Sequence, residues 1–431
     1  MMRNWVRKKI KDFAFTTSGG TPNTSIKEYW ENGVIPWINS GELSRNNFIR
    51  IPTTYISEKA LKNSSAKLMP IGTVVIALTG ATTGMTALLE IETSGNQSIT
   101  GIFPSENHDS LYLLYLLQLN RNSILSFNTG SAQPHINKQI VDDLEFIIPE
   151  EKYEQARISK IIRSADEAIY HTEALIAKYN RIKTGLMQDL LTLGIDERGN
   201  IRSKATHKFV VKNGIEVPEE WEVKTVGVMT KEKIIDDIQD GNHGEKHPKA
   251  SDFVEEGVPF IMATDISSGI IDFKGCKKIT TSQYKSLRIG FAKSNDILLS
   301  HKASLGFVAI VPTSVNELML TPQVTYYRVI NEKRLSYKYL SFYMKGDAFQ
   351  SSLSNFAKQS TRDYIGITMQ KDMKIAYPKS IVEQLKISEV LDESEKEILS
   401  KKIIVAKLHA LKAGLMSDLL SGKVRVPEGM I

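Results

Sequence analysis

Two groupings in this chain combine residue types that could do chemistry. His243 and His247 stand four apart with Asp240 and Glu245 beside them, ligand types suited to a divalent metal. They lie in Gly241-Asn242-His243-Gly244-Glu245-Lys246-His247-Pro248, whose glycines and lysine read instead as a loop. The second grouping, Pro218-Glu219-Glu220-Trp221-Glu222-Val223-Lys224, has the acid-acid-lysine arrangement of a metal-dependent nuclease. Its lead-in, Val217-Pro218-Glu219, recurs near the C-terminus in Val426-Pro427-Glu428-Gly429, which argues for the entry to a folded unit rather than a catalytic centre. The common catalytic signatures are missing: no Gly-x-Gly-x-x-Gly after a strand, no Gly-x-x-x-x-Gly-Lys-Ser/Thr phosphate loop, and no Asn-Pro-Pro-Tyr-like tetrapeptide for methylating a base amino group. Cys276 is the single cysteine, so a disulfide framework and a cysteine-ligated cluster are excluded. The chain is read as non-catalytic, with no metal site and no cofactor of its own.

The elements that would position any site are written twice. Pro149 to Leu191 aligns without a gap on Pro378 to Leu420 at a constant offset of 229, with 15 of 43 positions identical. The identities include Glu154-Gln155 with Glu383-Gln384 and Gly185-Leu186-Met187 with Gly414-Leu415-Met416. A long repeat of this kind is evidence about architecture. Each copy carries an apolar seam at alternating spacings of four and three, from Ile158 through Ile162, Ala165 and Ile169 to Leu190, and from Ile387 through Leu391, Ser394 and Ile398 to Leu419. That is a heptad pattern, so each copy is expected to be one long helix of a coiled coil, a rod on the order of 55 Å. Lys183 and Lys412 share one polar seam position, of the kind that lowers stability but fixes register. The alternative is that each helix packs on its own neighbouring domain.

The segments between the helices repeat an outline as well. In the first, Trp5 to Phe15 reads as a strand, Ile26 to Trp30 as a short helix, Val34 to Ile38 and Ile71 to Leu78 as strands, Leu111 to Leu119 as a helix and Leu144 to Ile148 as a strand. In the second, Trp221-Glu222-Val223 corresponds to Trp5-Val6-Arg7, and Phe253 to Ile261 to Tyr29 to Ile38. His301 to Gly306 stands where Thr79 to Gly84 stands, and Gln323 parallels Gln97. Charge is nearly balanced: residues 1–150 hold 13 Lys+Arg against 13 Asp+Glu, and residues 207–377 hold 23 against 20, within a net +6. A polyanion partner is permitted, but through local loops rather than a bulk positive field. No apolar run is long enough to span a membrane, and Met1-Met2-Arg3-Asn4-Trp5 leads straight into lysine and arginine, so a cytoplasmic location is expected.

Two variable globes alternating with twin Glu-Gln…Ile-Ser…Lys-x-Gly-Leu-Met-x-Asp-Leu-Leu helices, with Trp-led globe starts, resemble the specificity (S) subunit of Type I restriction–modification systems. The resemblance covers essentially the whole chain. It implies an α+β molecule with two similar α/β target-recognition domains, at 1–148 and 207–377. Two long antiparallel coiled-coil spacer helices, within 149–206 and 378–431, would separate them in a pseudo-two-fold arrangement. Each domain would read one half of a split double-stranded DNA site, and the helices would set the gap. Two methyltransferase subunits would dock on the helices, with restriction subunits added outside. S-adenosylmethionine, ATP and Mg would belong to those partners.

On that reading, polar loops at strand ends are the candidates for base contact, because side chains with paired donors and acceptors read base edges. In the first domain these are Thr79, Thr82, Thr83, Gln97, Ser98, Gln133, His135 and Asn137. In the second they are His301, Lys302, Ser304, Gln323, Lys358, Gln359, Thr361 and Arg362. Leu186, Met187, Leu190 and Leu191, with Leu415, Met416, Leu419 and Leu420, give each rod end more apolar surface than one seam can bury. They are read as partner-docking surface. The alternative from another class is a coiled-coil scaffold whose globes bind protein or peptide.

Overall fold

The computed structural model describes residues 4–44, 47–127, 135–243, 246–302, 304–358 and 364–427. The chain divides into two compact units, one formed by residues 1–174 with 402–431 and the other by 175–401. These units differ from the linear segments in one respect: each takes one globe together with half of each long helix. The helices span Lys152–Thr192 and Ile381–Leu420.

In the first unit, strand Trp5–Lys9 pairs antiparallel with Glu145–Pro149, so the start and end of the globe close on one ladder. The leading strand is shorter than its apolar pattern suggests: a helix begins at Ile10, and Asp12 accepts a hydrogen bond from the Lys9 amide at 2.8 Å. A five-stranded sheet runs in the order Thr16–Ser18, Ile99–Ile102, Val74–Ala77, Thr86–Leu89, Phe48–Ile49. A second sheet of four contains Ile35–Ile38 beside the parallel strand Thr93–Gly95. Val74–Ala77 does not alternate, because it has core on both faces: Val74 and Ile76 join one apolar cluster and Val75 and Ala77 another.

The second unit repeats this plan. Trp221–Thr225 pairs with Lys374–Pro378. The sheet Gln239–Asp240, Val324–Tyr327, Ile297–Ser300, Val308–Ile310 matches the first four strands of its counterpart. Val258–Ile261 again lies beside a parallel strand, Leu318–Leu320. Ile297 and Leu299 face one cluster and Leu298 the other. Among the described residues the Phe48–Ile49 strand has no counterpart here. In the first unit it is braced by Arg163, whose guanidinium lies 3.9 Å from the Phe48 ring centroid.

The heptad reading of the helices holds position by position. All ten seam residues of each copy are buried or half-buried, while most of the Lys and Glu between them face solvent, Glu395 and Glu397 being half-buried. Inside the first unit Lys412 pairs with Asp166 at 2.6 Å and His409 approaches Glu173 at 3.9 Å, so numbers rise along one helix as they fall along the other. The helices are therefore antiparallel. Inside the second unit Lys183 pairs with Glu395 at 2.5 Å, in the same register.

Candidate nucleic-acid interface

Each globe is tied to its helix by the residues that the repeat keeps identical. The Trp5 indole donates to Glu154 at 3.3 Å and the Trp221 indole to Glu383 at 3.1 Å. Each carboxylate is also held by an arginine that follows the end of the other long helix: Arg425 on Glu154 at 2.8 Å, Arg202 on Glu383 at 2.5 Å. The neighbouring glutamines are fully buried, which is tolerable only because their amides are paired. Gln155 donates to the Pro149 carbonyl and accepts from the Asp109 amide; Gln384 donates to the Pro378 carbonyl and accepts from the Ser336 amide. Asp109 and Ser336 cap the helices Ser110–Leu119 and Tyr337–Lys345. One Glu-Gln dipeptide thus fixes the closing strand, the packed helix and the leading tryptophan of each globe.

From that root the central strand runs out to a loop that is built alike in both globes. The Ile136 amide donates to Leu78 O at 2.9 Å, and the Ile365 amide to His301 O at 3.0 Å. Thr79 bridges to His135, and Lys302 to Tyr364. Each loop returns at a glycine with positive φ: Gly84 (+74°) donates to Ala77 O at 2.8 Å, and Gly306 (+88°) donates to Ser300 O at 2.9 Å. Hence Leu78 corresponds to His301 and Thr79 to Lys302, one step from the register read in the sequence, because the second loop is a residue shorter. The same ladder matches Ser98, not Gln97, with Gln323: Ser98 O accepts from the Leu78 amide, Gln323 O from the His301 amide.

Of the residues singled out for base contact, Gln97, His135, Asn137, Lys302 and Lys358 are exposed; Thr79, Thr82, Ser98, Ser304 and Gln323 are half-buried. Several already have work within the fold. Asn137 caps the helix Lys138–Asp143 by accepting from the Ile140 amide, Thr82 donates to Thr79 O, and Gln97 accepts from Thr21. Two are misplaced. Thr83 is buried with its hydroxyl donated to Gly80 O, and His301 has no exposed surface. His301 Nδ1 lies 3.0 Å from Ile365 O, and burial, only partly opposed by Asp240, lowers its pKa to about 4. It takes the core place that Leu78 fills in the first globe, which a polar letter in a loop-like string conceals. Gln133, Gln359, Thr361 and Arg362 lie outside the described residues.

Among the described residues the metal grouping does not assemble. His243 pairs with Asp240 at 2.8 Å, His247 contacts the Asn242 carbonyl at 3.0 Å, and Glu245 lies outside the described residues. Among the described residues no group of three or more His, Cys, Asp or Glu could hold a metal. No described helix is long and apolar enough to cross a membrane.

The partner-docking leucines are corrected by their surroundings. Leu190 and Leu191 are buried in the core of the second globe, with Leu186 and Met187 packed against it. Met416, Leu419 and Leu420 are buried in the core of the first, with Leu415 packed against it. The surplus apolar surface at each rod end is taken up by the chain's own globe. Other apolar residues stay exposed on the helices, eight of them in pairs at the 229 offset: Tyr153 and Val382, Tyr170 and Leu399, Leu175 and Ile404, Ile182 and Leu411, all between 39% and 65% exposed. Leu385, Val390 and Ile403 are exposed as well, without an exposed large apolar counterpart. Neither these pairs nor the Trp–Glu–Arg junctions were singled out from sequence. The 229 offset was the available signal for the helix pairs and for Glu154 with Glu383; the tryptophans and arginines stand at other spacings.

A family model for the Type I restriction modification DNA specificity domain matches residues 2–181 and 218–408. The Type I restriction enzyme MjaIX specificity subunit of Methanocaldococcus jannaschii is 27% identical, over 99% of this chain and 95% of its own length. The MjaVIII specificity subunit of the same organism is 28% identical over 74% and 71%. Among solved structures, the Type-I restriction-modification system S subunit from M. genitalium has a TM-score of 0.60 at 14% identity, covering 96% of both chains, a likeness of fold.

Proposed function

The chain belongs to the Type I restriction–modification DNA specificity family and is a specificity subunit with two target-recognition domains; we propose that each domain reads one half of a bipartite DNA site with the loop that follows its central strand. The observation that carries this reading is the matched loop. Thr79 to Gly84 with His135, and Lys302 and Ser304 to Gly306 with Tyr364, occupy the same place in both globes while differing in the side chains they present. A common scaffold with variable polar tips is what two readers of different sequences need. Gln97, His135 and Lys302 supply the exposed donors and acceptors, and Lys358 suits phosphate. The antiparallel helices are the spacer.

The chain carries recognition rather than catalysis. Two methyltransferase subunits, bringing S-adenosylmethionine, dock on the helices, and restriction subunits with ATP and Mg join outside them, in the cytoplasm. The docking surface is the duplicated exposed apolar set of the helices, since a partner held twice requires the same chemistry twice.

The test is an adenine-methylation map of the host by direct sequencing, with this gene intact and deleted. Loss of one split motif, two short half-sites around an unspecified gap, is expected on deletion. An unchanged map from a system whose methyltransferase is active would overturn the reading. Binding by the assembled complex should also weaken steeply with salt as counterions are released, which an apolar protein interface would not do.

A further inference from the structure

We propose that Arg121 and Gln350 are positioning residues for sequence recognition, each holding its own domain's loop in the conformation that reads one half-site. The proposal rests on the loop reading given above and adds residues that touch no base.

Both globes secure the returning arm of the loop from outside, and do so with different chemistry. In the first, the Arg121 guanidinium donates twice to the Thr83 carbonyl, from Nε at 3.3 Å and Nη2 at 3.1 Å. In the second, Gln350 Nε2 donates to the Gly306 carbonyl at 3.0 Å and to Met344 O at 2.6 Å. Each side chain comes from the helix that follows the globe's main packed helix, Arg121–Leu125 in one and Asp347–Lys358 in the other. Each also uses the space a glycine leaves open. A Cβ on Gly84 would lie 3.2 Å from Arg121 Cγ, and one on Gly306 would lie 2.3 Å from Gln350 Oε1. Both glycines have positive φ besides, so a larger residue there is disfavoured on two grounds.

The departing arm is fixed independently by the Thr79–His135 and Lys302–Tyr364 bridges. The clamp therefore holds the other arm. In the first globe the tip is Gly80-Ala81-Thr82, where Ala81 is exposed and a Cβ on Gly80 would meet nothing within 4 Å. A loop tied at both ends loses little freedom when it meets a base edge, and misplacing it by about 1 Å is enough to blur readout. Two unrelated side chains that hold the returning arm within one residue of its glycine, at Thr83 O in one domain and Gly306 O in the other, argue for a shared task. A generic packing contact does not require a donor aimed at a carbonyl of that arm.

The test uses the complete complex with its methyltransferase subunits in cells, read by methylation mapping. Arg121→Ala should relax the first half-site alone, cutting discrimination against single mismatches there about tenfold, a loss within the range of one good base contact. The second half-site and the gap should stay unchanged. Gln350→Ala should do the reverse. Arg121→Lys, which keeps the stem against Gly84 and a donor head, should restore part of the stringency; it also serves if the alanine variant does not fold. Uniform loss of methylation at both half-sites in folded complexes would overturn the proposal. So would an unchanged map, and a parallel Thr82→Ala and Lys302→Ala pair then separates the two failures. If the loop variants alter the motif, only the clamp is wrong; if they do not, the loop reading falls with it.

Discussion

The Trp–Glu–Arg junction is duplicated, yet its two copies should respond unequally to the same change. Arg202 and Glu383 are buried, their side chains 7% and 9% exposed, whereas the Arg425 side chain on Glu154 is 44% exposed. Glu383→Ala leaves a guanidinium and the Trp221 N–H without an acceptor inside the fold, and is expected to cost about 3–5 kcal/mol. Glu154→Ala should cost clearly less, since solvent can take over Arg425. Thermal or urea unfolding of the two variants checks the order, and equal losses would contradict it. Buried histidines add a pH dependence. His108 and His301 titrate at about 4 in the folded chain because burial disfavours the cation, against an ordinary 6.5. Between those values the unfolded chain binds the extra proton, so stability is complete above pH 6.5 and is lost as pH falls towards 4. His301→Leu, which copies Leu78 of the first globe, should flatten that acid limb for the second unit. An unaltered slope in urea titrations from pH 7 to 4.5 would show that His301 does not supply it.

At the scale of elements, the two helices test what heptad reasoning can reach. The seam was legible because its spacing survives in both copies, and every one of its positions is shielded in the fold. Lys183 and Lys412 were legible as polar breaks, but their partners were not, since Glu395 and Asp166 are remote in sequence and only the antiparallel register brings them near. Burial alone would raise the Glu395 carboxyl, yet Lys345 and Lys183 outweigh it and hold the group below the usual carboxylate range. The pair should therefore couple measurably: a double-mutant cycle with Lys183→Met and Glu395→Gln should give about 0.5–1 kcal/mol, and zero coupling would make the pair incidental to register. The rod-end leucines misled for a related reason. A helix pattern shows how much apolar surface must be covered but not what covers it, and here the cover is the globe into which Leu190 and Leu419 fold. The loops were the least legible. A one-residue difference in length shifted the apparent partner of His301 from Leu78 to Thr79, and hydrogen bonding to Ile136 and Ile365 was needed to restore it.

For the molecule as a whole, the duplication makes a prediction about number. Each unit exposes four of the paired apolar positions: Tyr153, Tyr170, Ile404 and Leu411 in one, Val382, Leu399, Leu175 and Ile182 in the other. Because the sets are related residue by residue at the 229 offset, a methyltransferase that recognises one should recognise the other, and the specificity subunit should carry two copies. Tyr170 and Leu399 are the pair to test, being 64% and 47% exposed and outside either globe core. Tyr170→Asp should remove one copy, Leu399→Asp the other, and the double variant both, since a carboxylate buried in an apolar contact without a partner is strongly disfavoured. Native mass spectrometry of the co-expressed complex reads the count directly. Two copies retained in the double variant would place docking on some other surface. One copy lost from either single variant would tie partner number to the internal repeat. It would also separate two roles within one duplicated chain: loops free to diverge between the globes, and helix positions held alike because the same partner meets both.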